Sequence, residues 1–250
     1  MAVHFSFNHM DFVEETTSTN VVLEHLAEQQ PEMGATLLYT DFQTGGKGHA
    51  GNSWESARGQ NCLFSFYVPE ANVPAADQFV VSKIACLAVV QAIEAELPGL
   101  ELKVKWPNDI YAGRKKLAGL LIQHKVQNMM VKSSIVGIGL NVNQVDFVSD
   151  APNPISLTQL CGKEFDRKHL IHLIAARFEV LWGELVNGKE EEIHQAFHQS
   201  LFALNRSERY RYQGDVVEAV VQGVDEYGRL VLVEGDRLIV ADFKEIALVH

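Results

Sequence analysis

Positive charge is in short supply: 21 lysines and arginines stand against 32 aspartates and glutamates, leaving a formal net charge of −11 over 250 residues. So acidic a surface repels phosphate backbones, which argues against nucleic-acid binding as the main task. Cysteine is scarce as well. Cys62, Cys86 and Cys161 are odd in number and form no CxxC pair. Small buried hydrophobes in a reducing, cytoplasmic compartment are the expected outcome. The opening MAVHFSFNHMDF lacks both the basic region and the apolar core of a signal peptide. No apolar run approaches the roughly 20 residues that span a bilayer, so no membrane partner is expected. Repeats and low-complexity stretches are absent.

What is present is the alternation of an ordinary globular protein, 47% hydrophobic and 21% charged. Residues 19–30 form a helix entered through the hydroxyl of Ser18 or Thr19 and ended by Pro31. Residues 35–40 and 62–68 are short strands, and 77–97 keep a helical period up to Pro98-Gly99. ELKVKW (101–106) alternates, placing Leu102, Val104 and Trp106 on one face. Strands follow at 117–124 and 134–142. Asp166 caps a helix whose stripe is Leu170, Leu173, Ile174, Phe178, Leu181 and Leu185, closed at Gly188. A further helix covers roughly 189–203, its Glu190-Glu191-Glu192 run favourably placed at the N-terminal dipole. Beyond Asn205 the helical texture gives way to short β-rich runs broken by Gly214-Asp215, Tyr227-Gly228 and Gly235-Asp236, the pattern of a small barrel or sandwich. The expected division is 1–205 and 206–250.

Three segments could carry chemistry. QTGGKGHAGNSW (43–54) contains Gly46, Gly48 and Gly51, formally a GxGxxG. It leads into a strand rather than a helix, so the dinucleotide reading fails, and Lys47-Gly48 fails the Walker pattern. What remains is a glycine-rich loop whose backbone N–H groups can face an anion; on glycine content alone it is equally an ordinary surface loop. In KVKWPND (103–109), Pro107 ends a strand and presents Lys105, Asn108 and Asp109 together. That suits a metal-bound phosphate, Asp109 offering a hard oxygen for Mg²⁺, or simply a capped turn. In SIVGIGLNVN (134–143), Gly137 and Gly139 are costly inside a strand unless something approaches closely, and Asn141 and Asn143 read a heterocycle edge or close a turn. His194 and His198 have metal-ligand spacing but no glutamate between them and no third ligand, so structural roles are expected.

Together these segments resemble the biotin protein ligases. Thr17-Ser18-Thr19-Asn20 stands for their Ser-Thr-Asn signature, Gln43–Trp54 for the glycine- and arginine-rich loop, and Lys105–Asp109 for K-W-P-N-D. Lys116–Gly119 stands for K-L-A-G and Gly137–Asn141 for G-x-x-x-N. The resemblance covers about 16–157 and implies an α+β fold: a mixed-sheet catalytic domain with helices packed on it, followed by a small SH3-like all-β domain. It implies formation of biotinyl-5′-AMP from biotin and ATP with Mg²⁺, then transfer to a lysine of a biotin carboxyl carrier protein. Lipoate ligases share the fold but carry an Arg-Arg pair and a His-Asp that this sequence lacks. A lipoate ligase, and a non-catalytic biotin or nucleotide sensor, are the alternatives.

The resemblance assigns the biotin head to Ser18, Thr19 and Gln43 beside Gly46 and Lys47, and its apolar tail to Trp54. Lys116 falls where carboxylate meets α-phosphate. Lys47 and Lys105, with His49 and Asn108, face the phosphates, Asp109 holds Mg²⁺ and helps the incoming lysine, and Asn141 faces adenine. Lys47, His49 and Ala50 stand where the family often has arginines; a histidine is a weaker anchor near neutral pH. The chain begins close to Ser-Thr-Asn, so a ligase without the winged helix-turn-helix of many bacterial relatives is expected. Monomer and homodimer are both compatible with the sequence.

Overall fold

A computed structural model describes residues 5–48, 52–148 and 153–249, the side chains of 70–72 excepted. Seven strands form one mixed sheet: β1 (His9–Thr16), β2 (Thr36–Gln43), β3 (Cys62–Pro74), β4 (Leu102–Lys105), β5 (Asp109–Ala112), β6 (Lys115–Gln127) and β7 (Met130–Leu140). Their order is β1-β2-β3-β7-β6-β5-β4; β1 and β2 run parallel and every other pair antiparallel.

The two faces are covered unequally. One carries α2 (Phe79–Glu96) and α4 (Arg167–Val186), packed on each other over Phe64, Phe66, Val136 and Ile138. The other carries α1 (Thr19–Gln29), which packs on β2, β3 and β7 through Leu23, Leu38 and Ile135. An 11-residue helix cannot roof seven strands, and the end of this face near β5 and β6 stays open.

α2 is apolar all round, from Phe79 to Ile93, because it is sandwiched between the sheet and its neighbours. With the 3₁₀ turn before it (Ala75–Asp77), this segment is long and apolar enough to cross a membrane by length and composition, but most of it is buried inside the fold. The expectation that no segment passes that test is corrected accordingly. In α4, Asp166 accepts hydrogen bonds from the N–H groups of Lys168 (2.9 Å) and His169 (3.2 Å), and Leu170, Ile174, Phe178 and Leu181 are buried. Ser18 stands at the start of α1, but its hydroxyl makes no capping bond, against expectation. Short α3 (Leu157–Cys161) is held by a reciprocal Ser156–Gln159 capping box, and α5 (Glu190–Ser200) follows α4. Cys62 and Cys86 are buried, and burial pushes both thiols up; Cys161 is exposed and departs from the expectation.

The tail forms a second, wholly antiparallel sheet: β8 (Ser207–Tyr212), β9 (Asp215–Val224), β10 (Leu230–Glu234), β11 (Arg237–Ala241) and β12 (Ile246–Leu248), in the order β11-β10-β9-β8-β12. The expected mixed sheet with helices and a small all-β C-terminal unit is therefore present. Trp106 joins the two: its Nε1 donates to Gly228 O at 2.8 Å, and its ring stacks on Phe243 with centroids 5.2 Å apart and planes 7° from parallel. Trp106→Phe leaves the buried Gly228 carbonyl without its donor and should lower stability by about 1–3 kcal/mol in urea unfolding. An unchanged midpoint would show that the bond does not hold the sheets together.

Candidate active site

Strand register converts separate motifs into one surface. Lys105 pairs with Asp109, Asp109 with Gly119, and Gly119 with Gly139, so a single row crosses β4, β5, β6 and β7. The next row on this face joins Leu121, Gly137 and Ser65. Cross-strand partners share a face, so both rows lie on the α1 side, at its open end. A Cβ on Gly139 would collide with the Trp54 indole, and one on Gly119 would come 2.9 Å from Trp54 Cζ3. A Cβ on Gly137 would collide with the Asn20 amide. The close approach that two glycines in one strand imply is thus made by side chains of the protein itself.

The loop that supplies Trp54 is tied at both ends. Gly45 N–H donates to Thr17 O (2.9 Å) and Trp54 N–H to Gly46 O (3.0 Å), with a bridge between Lys47 and Ser53. Gly46 serves this tie, since a Cβ there would stand 2.8 Å from Trp54 O. Trp54 Nε1 is buried without an acceptor among the described residues, and Lys116 Nζ lies 5.5 Å from its ring centroid.

Above these rows opens a cleft of about 280 Å³. Ser18, Thr19, Gln43, Lys47, Trp54, Lys105, Asn108, Asp109 and Lys116 all line it, so the expected site residues converge on one space. Sequence reasoning named Asn20 in the Ser-Thr-Asn signature but gave it no role, and it completes the wall over Gly137; Phe243, Lys244, Ile246 and Ala247, which the tail contributes, were missed. No motif signalled those four, because their position depends on how the second sheet docks on Trp106.

Four lysines (47, 105, 116 and 244) line the cleft, and Asp109 is its one carboxylate among the described residues. Such a cationic concavity in an acidic protein concentrates anions. Asp109 Oδ1 accepts from Lys116 Nζ at 2.7 Å. Burial holds the Lys105 ammonium below its usual range; neighbouring Lys116 pushes the same way and Asp109 opposes. Asn108 donates its amide to Leu120 O, clamping the β4–β5 turn onto β6. Among the described residues no group of three or more His, Cys, Asp or Glu could hold a metal. Mg²⁺, however, is commonly held by one or two carboxylates together with substrate phosphates, and Asp109 fits that mode. His194 contacts Glu190 at 3.2 Å, and His198 lies against Gly223.

Three expected residues are not among the cleft lining: Gly46, which instead ties the loop at Trp54, Asn141 and His49. Asn141 is buried, 3% exposed, and its Nδ2 donates to Ile155 O at 3.1 Å, fastening the segment after β7 beside Lys116. It is therefore a brace for Lys116 and not part of the cleft lining. His49 lies outside the described residues.

The fold is that of a biotin protein ligase from Aquifex aeolicus solved in complex with biotin and ATP, with a TM-score of 0.78 and 23% identity, covering 97% of this chain and 99% of that one. In sequence the chain is 29% identical over 229 residues to the bifunctional ligase/repressor BirA of Bacillus subtilis, covering 90% of this chain and 69% of that protein. It is 28% identical over 242 residues to the biotin–[acetyl-CoA-carboxylase] ligase of Mycobacterium tuberculosis, covering 95% and 88%. Residues 11–143, just over half of the 250, match the biotin/lipoate A/B protein ligase family. The chain belongs to that family and is a ligase.

Proposed function

We propose that the protein joins biotin to ATP, forming biotinyl-5′-AMP, and then transfers the biotinyl group to a lysine of a biotin carboxyl carrier protein or domain. Residues 1–205 form the catalytic unit in this reading, and 206–250 a second domain that lends its last strands to the cleft wall. The observation that carries it is the convergence of Lys47, Lys105 and Lys116 with Asp109 in one cleft, beside a polar end built from Thr19 and Gln43.

The chemistry explains why such a cleft is needed. A carboxylate oxygen attacks the α-phosphorus of ATP, a P–O bond breaks, and pyrophosphate leaves with the electron pair. Two like unit charges about 4 Å apart repel by about 4 kcal/mol at an effective dielectric of 20. Lysines fixed in advance offset that repulsion and hold the reactants in line. Lys116 exchanges part of its pairing with Asp109 for the biotin carboxylate; Lys47 and Lys105 face the phosphates. Asp109, together with the phosphates, would hold Mg²⁺, which would supply further charge neutralisation. The indole of Trp54 walls the apolar acid chain and excludes water from the mixed anhydride. A neutral carrier amine then attacks the acyl carbon, and AMP departs; Asp109 orients that amine.

Biotin is favoured over lipoate by the named relatives and by the polar end of the cleft, since a dithiolane offers no hydrogen-bond donor to it. Biotin should therefore drive exchange of labelled pyrophosphate into ATP. Exchange with lipoate alone would reassign the substrate, and biotin binding without exchange would support the sensor alternative. Lys116→Ala should cut biotin-dependent exchange by about 100- to 1,000-fold while the circular dichroism spectrum stays native; near-normal exchange would remove its role.

Lys105 gives a pH signature. Its ammonium is held low in the free protein by burial, and a bound polyanion raises it again. Nucleotide affinity should be constant below the free-state pKa, then fall as pH rises through it, with proton uptake on binding in that window. Calorimetry in buffers of different ionisation enthalpy reads this uptake, and Lys105→Met should abolish it. Uptake that persists in the variant would assign it to another group.

A further inference from the structure

One lysine of the cleft has no task in the reaction proposed above. Lys244 lines the cleft from the turn between β11 and β12. Its φ is +72°, in the left-handed region that is costly for a residue with a side chain and favours glycine. The turn around it is fixed. Phe243 stacks on Trp106, and Ile246 shares the wall of a small cavity with Lys105. Both acids of the turn are engaged by its backbone: Asp242 Oδ1 accepts from Phe243 N–H at 3.0 Å, and Glu245 Oε2 accepts from Asp242 N–H at 2.8 Å. Lys244 itself is exposed and has no ion pair or hydrogen bond among the described residues. A strained backbone that displays an unpaired cation in a cationic cleft points to a ligand rather than to the fold.

Strand register indicates which part of the ligand lies there. Along the row Gly139–Gly119–Asp109–Lys105, Trp54 covers the two glycines, and Asp109 stands in the middle with Lys116. Lys105 is on β4, the last strand of the sheet. In the proposed adenylation the acid chain lies against Trp54, and its carboxylate oxygen attacks the α-phosphorus at Lys116. Displacement at phosphorus places the attacking and leaving oxygens in line. The P–O bond that breaks therefore points away from Trp54, across Lys105 and toward the edge of the sheet, and pyrophosphate takes the electron pair in that direction. The tail meets the sheet on that same side, where Ile246 and Lys105 face one cavity.

We propose that Lys244 binds the leaving pyrophosphate: the β- and γ-phosphates of ATP before the displacement, and inorganic pyrophosphate after it. This rests on the biotin reading, and deepens it by giving the tail a share in holding the leaving group. The exposed position suits a group that must depart. A buried, hydrogen-bonded cation would retain the polyanion, whereas a lysine at the rim is screened by water and salt and lets the product go.

The test is biotin-dependent exchange of labelled pyrophosphate into ATP by the full-length protein, followed against pyrophosphate and ATP concentration. Lys244→Gly removes the charge and frees the backbone, Lys244→Gln removes the charge alone, and Lys244→Arg keeps it. The first two should raise the half-saturating pyrophosphate and ATP concentrations by about five- to tenfold at low salt, while the arginine variant stays within about twofold of the unsubstituted protein. Raising the ionic strength should narrow the difference. Biotin affinity by calorimetry should hold. So should the rate at which preformed biotinyl-5′-AMP passes to a biotin carboxyl carrier domain, because neither step involves pyrophosphate. Lys244→Gly should unfold no lower than the unsubstituted protein and up to about 4 °C higher, so that affinity falls without loss of stability. Unaltered half-saturation in the glycine and glutamine variants, a loss confined to the transfer step, or a fall in unfolding temperature that accompanies the weaker binding overturns the assignment alone. Failure of the unsubstituted protein to exchange with biotin overturns the biotin reading, and the assignment with it.

Discussion

The structure depends on clearance above one face of a sheet. Strands normally project a side chain every second residue toward each face, and here Gly119, Gly137 and Gly139 project nothing toward α1. Into that bare strip settle the Asn20 amide and the Trp54 indole, one from the first turn of α1 and one from the end of the glycine-rich loop. Each then presents its outward edge to the cleft. Filling any of these positions would displace the groups that shape the site, although the sheet itself could accommodate an alanine.

Electrostatics follows from the same register. Lys105, Asp109 and the β6 strand that carries Lys116 are neighbours because two short strands and the start of long β6 fold back on one another through tight turns. The lysine–aspartate pair at 2.7 Å keeps a cation in place before any ligand arrives. An overall charge of −11 and a locally cationic cleft are complementary: the surface turns polyanions away except where the lysines gather.

Much of this was legible in the sequence wherever the information was local. The capping role of Asp166, the alternation in 102–106 and the apolar stripe of α4 each depend on residues a few positions apart, and each appears as read. The segments around Lys47, Lys105, Lys116 and Gly137 could be recognised as linear motifs, and they do meet. The bond of Asn141 to the Ile155 carbonyl could not be foreseen, because Ile155 sits on a segment brought back by tertiary folding. β1 went unseen because an exposed edge strand, HMDFVEET, shows no clear apolar face. Phe243 and Lys244 could not be found at all: nothing in the tail itself says which of its turns will meet Trp106.

Trp106 is gripped by the tail on one side and belongs, on the other, to the turn between Lys105 and Asp109. The two sheets therefore share a rivet at the point where chemistry is proposed to happen. Insertions or fused passengers are best tolerated at the β10–β11 hairpin, on the outer margin of the small sheet, where Glu234 pairs with Arg237 around Gly235-Asp236. The stretch from Ala241 to Ile246 offers no such freedom, because lengthening it would loosen the rivet and the catalytic turn together.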